Sequence, residues 1–122
     1  MMHAKILVLE DELLIAMLFK DILDSSGCTV IGPFARVNTA LEAARNVPLD
    51  AALLDVHLAG DMVFPVADVL TERGVPFAFV SGYGKEFLPP AYRDRPLLAK
   101  PFGPPAVRAI LANLIRPLSR RE

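Results

Sequence analysis

Cysteine is nearly missing from this chain: Cys28 is the only one, so an internal disulfide and a zinc site built from cysteines are both excluded. Cys28 falls in an apolar pattern with Val30, which makes core packing its expected role. An excess of either charge is missing too. Thirteen basic residues face 14 acidic ones, for a net charge of −1, and no basic stripe of the kind that grips nucleic acid is present. The nearest approach, Arg116 with Arg120 and Arg121, reads as a solubilising end. No apolar run reaches the roughly 18 residues that a membrane span requires. Residues 1–5 run straight into a strand pattern, which leaves no room for a signal peptide. These absences point to a cytoplasmic, soluble protein with no membrane partner and no direct nucleic-acid partner.

What is present is enough for a core. The chain has 122 residues, 53% of them hydrophobic and 22% charged, so one domain over residues 1–122 is expected. Residues 5–9 (Lys-Ile-Leu-Val-Leu) form a short continuous apolar run, as a strand buried on both faces does. Glu10-Asp11-Glu12 follow, and as acids in a first turn they predict a helix to about Ser26, closed by Gly27. Leu14, Leu18 and Ile22 recur at helical spacing; Leu13, Ile15 and Phe19 widen the apolar face, so part of this helix is expected to meet a partner.

The plan then repeats. Residues 29–31 read as a strand broken by Gly32-Pro33, and Asn38 as the cap of a helix to Asn46, with Leu41 and Ala44 inward. Residues 51–56 are a third strand, and a helix opened at Gly60-Asp61 carries Val63, Val66, Ala67 and Leu70 on one face before Gly74. Residues 76–80 form a fourth strand. Pro89 and Pro90 allow at most a short helix in residues 85–96. Residues 97–99 are a fifth strand, and a last helix enters at Pro104-Pro105 with Val107, Ile110, Leu111 and Leu114. Strands alternating with helices imply an α/β domain, a five-stranded parallel sheet between two helical layers.

In such sheets ligands bind at the carboxyl ends of the strands. Those ends carry Glu10-Asp11, Asp55, Ser81 and Lys100, while the strand interiors are almost wholly apolar. Any one of these residues alone is better read as a turn or a solvated side chain. Together, in order, at four strand ends, they predict one pocket. Three carboxylates gathered there repel, and a hard divalent cation such as Mg2+ relieves the repulsion. The cation and Lys100 formally balance the three acids, which suits a phosphoryl group. Asp55, central in the sheet, is the best nucleophile for an aspartyl phosphate, with Ser81 able to donate its hydroxyl to the new oxygens.

At these residues the chain resembles the receiver domains of bacterial response regulators, in two-component (phosphorelay) signalling. The resemblance covers essentially the whole chain through Glu10-Asp11, Leu53-Leu54-Asp55-Val56, Ser81 before Gly82, and Lys100-Pro101-Phe102. It implies a flavodoxin-like α/β/α fold with strand order 2-1-3-4-5. It implies phosphoryl transfer to Asp55 from a histidine kinase or phosphotransfer protein. Mg2+ would be held by Asp11, Asp55 and the backbone carbonyl of His57, with Glu10 reached through water. Lys100 would contact the phosphoryl group, Ser81 would swing toward it, and Lys100-Pro101 would be cis. His57 and Tyr83 would modulate water access and dephosphorylation. A downstream effector protein is implied, the chain being a signalling domain and not an enzyme with an external substrate, and a homodimer is left open. The run Phe79-Val80-Ser81-Gly82-Tyr83-Gly84 resembles the subgroup with a Phe-Ala-Thr-Gly motif and a shortened fourth helix. Leu97 departs from the pattern, standing where many receivers have Tyr or Phe.

Three rivals remain at this stage. A phosphohydrolase with an aspartyl nucleophile of the haloacid-dehalogenase type needs a second Asp where His57 stands. A flavin or dinucleotide binder needs a phosphate loop where Glu10-Asp11-Glu12 repel phosphate. A receiver that is never phosphorylated would act by binding alone.

Overall fold

The computed structural model of the protein describes residues 3–58 and 60–119; Met1, Met2, Ala59 and residues 120–122, with Arg120 and Arg121 among them, and the side chains of residues 116–119, fall outside the description. The strands are β1 (Lys5–Leu9), β2 (Thr29–Phe34), β3 (Ala51–Asp55), β4 (Phe77–Ser81) and β5 (Leu97–Ala99). The helices are α1 (Leu13–Ser25), α2 (Val37–Asn46), α3 (Phe64–Arg73) and α4 (Pro104–Ser119). All pairings are parallel and the strand order is β2-β1-β3-β4-β5, the flavodoxin-like arrangement. Among the described residues no helix is long and apolar enough to cross a membrane.

The two-residue period of a strand divides the apolar side chains between two cores. Ile6, Val8, Leu53, Ala78 and Val80 point to one face and pack on Phe19, Ile22 and Leu23 of α1 and Val107 and Leu111 of α4. Cys28 is buried in this core. Leu7, Leu9, Leu54, Phe77 and Phe79 point to the other face and meet Ala40 and Ala44 of α2 and Val66 and Leu70 of α3. Continuous burial on both faces is why these strands read as unbroken apolar runs.

Local expectations need correction at the starts of α1, α2 and α3, on the inward face of α1 and in β2. The acids do not enter α1: Glu10 turns back to accept the backbone N–H of Glu12 at 3.0 Å, so the helix starts only at Leu13. The Leu14, Leu18, Ile22 stripe is split, because the core takes Ala16, Phe19, Ile22 and Leu23 instead. Leu13, Leu14 and Met17 are left 73%, 80% and 54% exposed, whereas Phe19, one of the residues that widened the apolar face, is buried. β2 runs through Gly32-Pro33, where its pairing with β1 shifts register between Leu7 and Leu9 and Gly32 takes φ +108°. A Cβ there would come within 2.7 Å of the Phe34 nitrogen, so glycine makes the bulge, and Pro33 is tolerated because β2 is an edge strand. Arg36, not Asn38, precedes α2; Asn38 accepts the adjacent N–H of Thr39.

Other elements follow the pattern. Val63, Val66, Ala67 and Leu70 are fully buried, although α3 begins at Phe64, with Pro65 in its first turn, and not at Gly60-Asp61. Gly74 closes α3 with φ +71°. Between β4 and β5 there is no α-helix, only the 3-10 turns Lys85–Phe87 and Pro90–Tyr92, as the prolines dictate. Tyr92 from the second turn packs among Phe64, Phe77 and Phe79.

Candidate functional site

Four strands deliver polar residues to one place at the carboxyl edge of the sheet. Glu10 follows β1, Asp55 ends β3, Ser81 ends β4 and Lys100 follows β5. Glu10, Asp55 and Ser81 are the buried polar side chains of the described residues. The carboxylates of Glu10, Asp11 and Asp55 offer oxygens that all lie within 4.8 Å of one another. Lys100 reaches into this group, its Nζ 3.2 Å from Glu10 Oε1 and 3.4 Å from Asp55 Oδ2. A third acid, Glu12, comes within 3.6 Å of the same nitrogen, a contact whose one sign in the sequence is its place beside Glu10-Asp11.

The Asp55 carboxylate is held from two sides. Oδ1 accepts the backbone N–H of His57 at 3.0 Å, and Oδ2 accepts from Lys100. Lys100-Pro101 is cis.

Electrostatics follow from burial and proximity. Burial, and then the Asp55 carboxyl beside it, push the pKa of Glu10 up to about 7 against the opposing pull of the Glu12 N–H and Lys100. Burial also works against the Lys100 ammonium, but Asp55 and Glu10 outweigh it and hold the Lys100 pKa above the ordinary lysine value. One ammonium is therefore shared among more acid than it can neutralise. Glu10 Oε1 is buried and makes no well-formed hydrogen bond, its near neighbour being the Lys100 ammonium at 3.2 Å. Three carboxylates whose oxygens lie within 4.8 Å of one another, with one ammonium among them, are what a hard divalent cation completes, so the donor set fits Mg2+.

Ser81 is placed differently from the acids. Its Oγ accepts the backbone N–H of Tyr83 at 2.9 Å and lies 3.1 Å from His57 Nε2. The His57 and Tyr83 rings meet edge to face at 4.8 Å, and Tyr83 meets Phe87 at 5.6 Å. Sequence reasoning placed His57 and Tyr83 near the site but missed that the imidazole bonds Ser81. The available signal was lateral: Asp55 pairs with Val80, so the residues that follow β3 and β4 emerge side by side. Leu97 is half-buried and packs against the α2–α3 core.

No protein-family model matches the chain. Among curated proteins it is similar to the phyllosphere-induced regulator PhyR of Methylorubrum extorquens, 33% identical over 119 residues. That match takes in 93% of this chain and 44% of PhyR, so the chain spans less than half the length of this relative. Among solved structures, SdrG from Sphingomonas melonis Fr1 superposes with a TM-score of 0.81 at 39% identity, covering 93% of this chain and 97% of SdrG. A BeF3-activated conformation of SdrG superposes at 0.78 with 40% identity, covering 91% and 95%. The response regulator PhyR from Brucella abortus gives 0.83 at 26% identity, over 98% of this chain and 50% of that one.

Proposed function

The chain belongs to the receiver domains of response regulators, and on that footing we propose that it is a phosphoacceptor switch whose acceptor is Asp55. One observation carries the reading: an ammonium 3.4 Å from a buried strand-end aspartate, beside two further carboxylates within 4.8 Å. The BeF3-activated form of SdrG supports it, since BeF3− has the shape and charge of a phosphoryl group on a carboxylate.

In this reading an Asp55 oxygen attacks the phosphorus of a phosphohistidine on a histidine kinase or phosphotransfer protein. The P–O bond to Asp55 forms as the P–N bond breaks, and the electron pair returns to the donor imidazole. Lys100 lies where it can bind the incoming phosphoryl oxygens, and the His57 N–H holds the acceptor carboxylate in place. Asp11, Asp55 and the His57 backbone carbonyl would hold Mg2+, with Glu10 reached through water. When bound, it supplies positive charge to the phosphoryl oxygens. Ser81 donates to the same oxygens, and His57 and Tyr83 modulate how long the group survives.

The protein acts on no external substrate; it signals in the cytoplasm by contact with an effector protein. The exposed Leu13, Leu14 and Met17 support such contacts, because α1 borders a groove of about 290 Å3 formed by Ile15, Leu18, Lys100, Pro101 and Phe102 beside the pocket. The run from Phe79 to Gly84 and the missing helix before β5 support membership of the Phe-Ala-Thr-Gly subgroup. Incubation with acetyl phosphate and Mg2+, read by intact mass, tests the function. One phosphoryl group should add to the protein, and none to Asp55→Asn or to protein kept in a chelator. A group that still adds to Asp55→Asn would show another acceptor and overturn the reading.

A further inference from the structure

The Ser81 hydroxyl has one proton to give and two lone pairs. In this structure both of its partners come from the loops beyond the strands: the Tyr83 N–H at 2.9 Å and His57 Nε2 at 3.1 Å. No hydrogen bond joins Ser81 to Asp55 among the described residues. Whichever of the two carries the shared proton, a Ser81 Oγ that moves to a group on Asp55 gives up the imidazole. The same imidazole lies edge-on to Tyr83, which is 59% exposed at the mouth of the pocket. Release of Ser81 therefore also frees the ring that borders Tyr83.

We propose that His57 is a positioning residue that latches Ser81 in the unphosphorylated state, opposing the switched state by about the worth of one hydrogen bond. The proposal rests on the phosphoacceptor reading and adds a specific regulator to it. In the latch the His57 ring acts through Ser81 Oγ, which lies 3.1 Å from its Nε2. Its backbone, which serves the metal site, is the same in every side-chain variant.

The test is reversible binding of BeF3− in the presence of Mg2+, followed by the amide signal of Tyr83 in 15N-labelled protein. His57→Phe keeps an aromatic ring beside Tyr83 but loses the bond to Ser81. It should bind BeF3− more tightly, by roughly threefold to tenfold, the worth of one neutral hydrogen bond. His57→Gln places a polar atom near the position of Nε2 and should restore the wild-type affinity. In a Ser81→Ala background, His57→Phe should change nothing. Equal or weaker binding by His57→Phe overturns the latch, as does a gain that persists without the Ser81 hydroxyl. A wild-type protein that takes up no BeF3− at all is a separate result, and it overturns the phosphoacceptor reading itself.

Discussion

The ring of Phe19 on α1 stacks on that of Phe102, centroids 4.6 Å apart and planes 23° from parallel. Phe102 lies just beyond Lys100, so a core side chain on the first helix supports the loop that carries the site's lysine. Phe19 is 1% exposed, and Phe19→Ala should cost about 3–5 kcal/mol by transfer and cavity terms. Urea unfolding measures that loss. Phosphorylation by acetyl phosphate should also slow under conditions where the variant is still folded, because Lys100 loses its support. An unchanged rate would separate the stack from the site.

Lys100→Ala removes the cation shared by Glu10, Asp55 and Glu12. Two buried carboxylates then face each other without an ammonium, and stability in Mg2+-free buffer should fall by about 2 kcal/mol. The loss is smaller than for a fully buried pair because the Lys100 side chain keeps 18% exposure. Addition of Mg2+ should return part of the loss, since a ligand that binds only the folded state stabilises it. The phosphorylation rate should drop about a hundredfold even with Mg2+ present, as when one preorganised charge-stabilising group is deleted.

Glu10 predicts a pH dependence whose sign is set by its raised pKa. The folded protein binds this proton more tightly than the unfolded chain, from an ordinary value of 4.5 to about 7. Its contribution to stability is thus fully present below pH 4.5 and lost as pH rises through about 7. Glu10→Gln imitates the protonated carboxyl at every pH. Without Mg2+, the melting temperature of the wild type should fall relative to Glu10→Gln across that window. With Mg2+ the order should reverse above pH 7, because only the wild type offers the carboxylate oxygen. A difference between the two proteins that does not vary with pH would refute the assignment.

Leu14 is 80% exposed and touches neither core, so Leu14→Glu should change stability by less than about 0.5 kcal/mol. Phosphorylation by acetyl phosphate, a donor too small to need the helix, should be unaffected. Transfer from a phosphorylated kinase should weaken, seen as a higher KM for the regulator in a phosphotransfer time course. Loss with both donors would place the effect in the pocket instead of on a docking face.

The strand-end acids and lysine were legible because a parallel strand buried on both faces has no other place for a charge. Asp55 stands out after Ala51–Leu54, as Lys100 does after Leu97–Ala99, for the same reason. The prolines at 89 and 90 likewise rule out a long helix through residues 85–96, since the missing N–H is a property of the residue. Which side of α1 faces inward was not legible. Leu14, Leu18, Phe19 and Leu23 are all apolar, and periodicity has no contrast when both sides of a helix are greasy. Gly32-Pro33 reads locally as a stop, yet β1 continues to pair across it and carries the strand to Phe34. Glu10 has the composition of a helix-start residue, but its burial beside Asp55 turns it into a turn-former and a site group. The contact between His57 and Ser81 depends on the lateral register of β3 against β4, a relation between residues 24 positions apart. Residue type and local order were enough for the strands and their polar ends. Orientation, register and shared protons arise only when separate segments compete for the same neighbours.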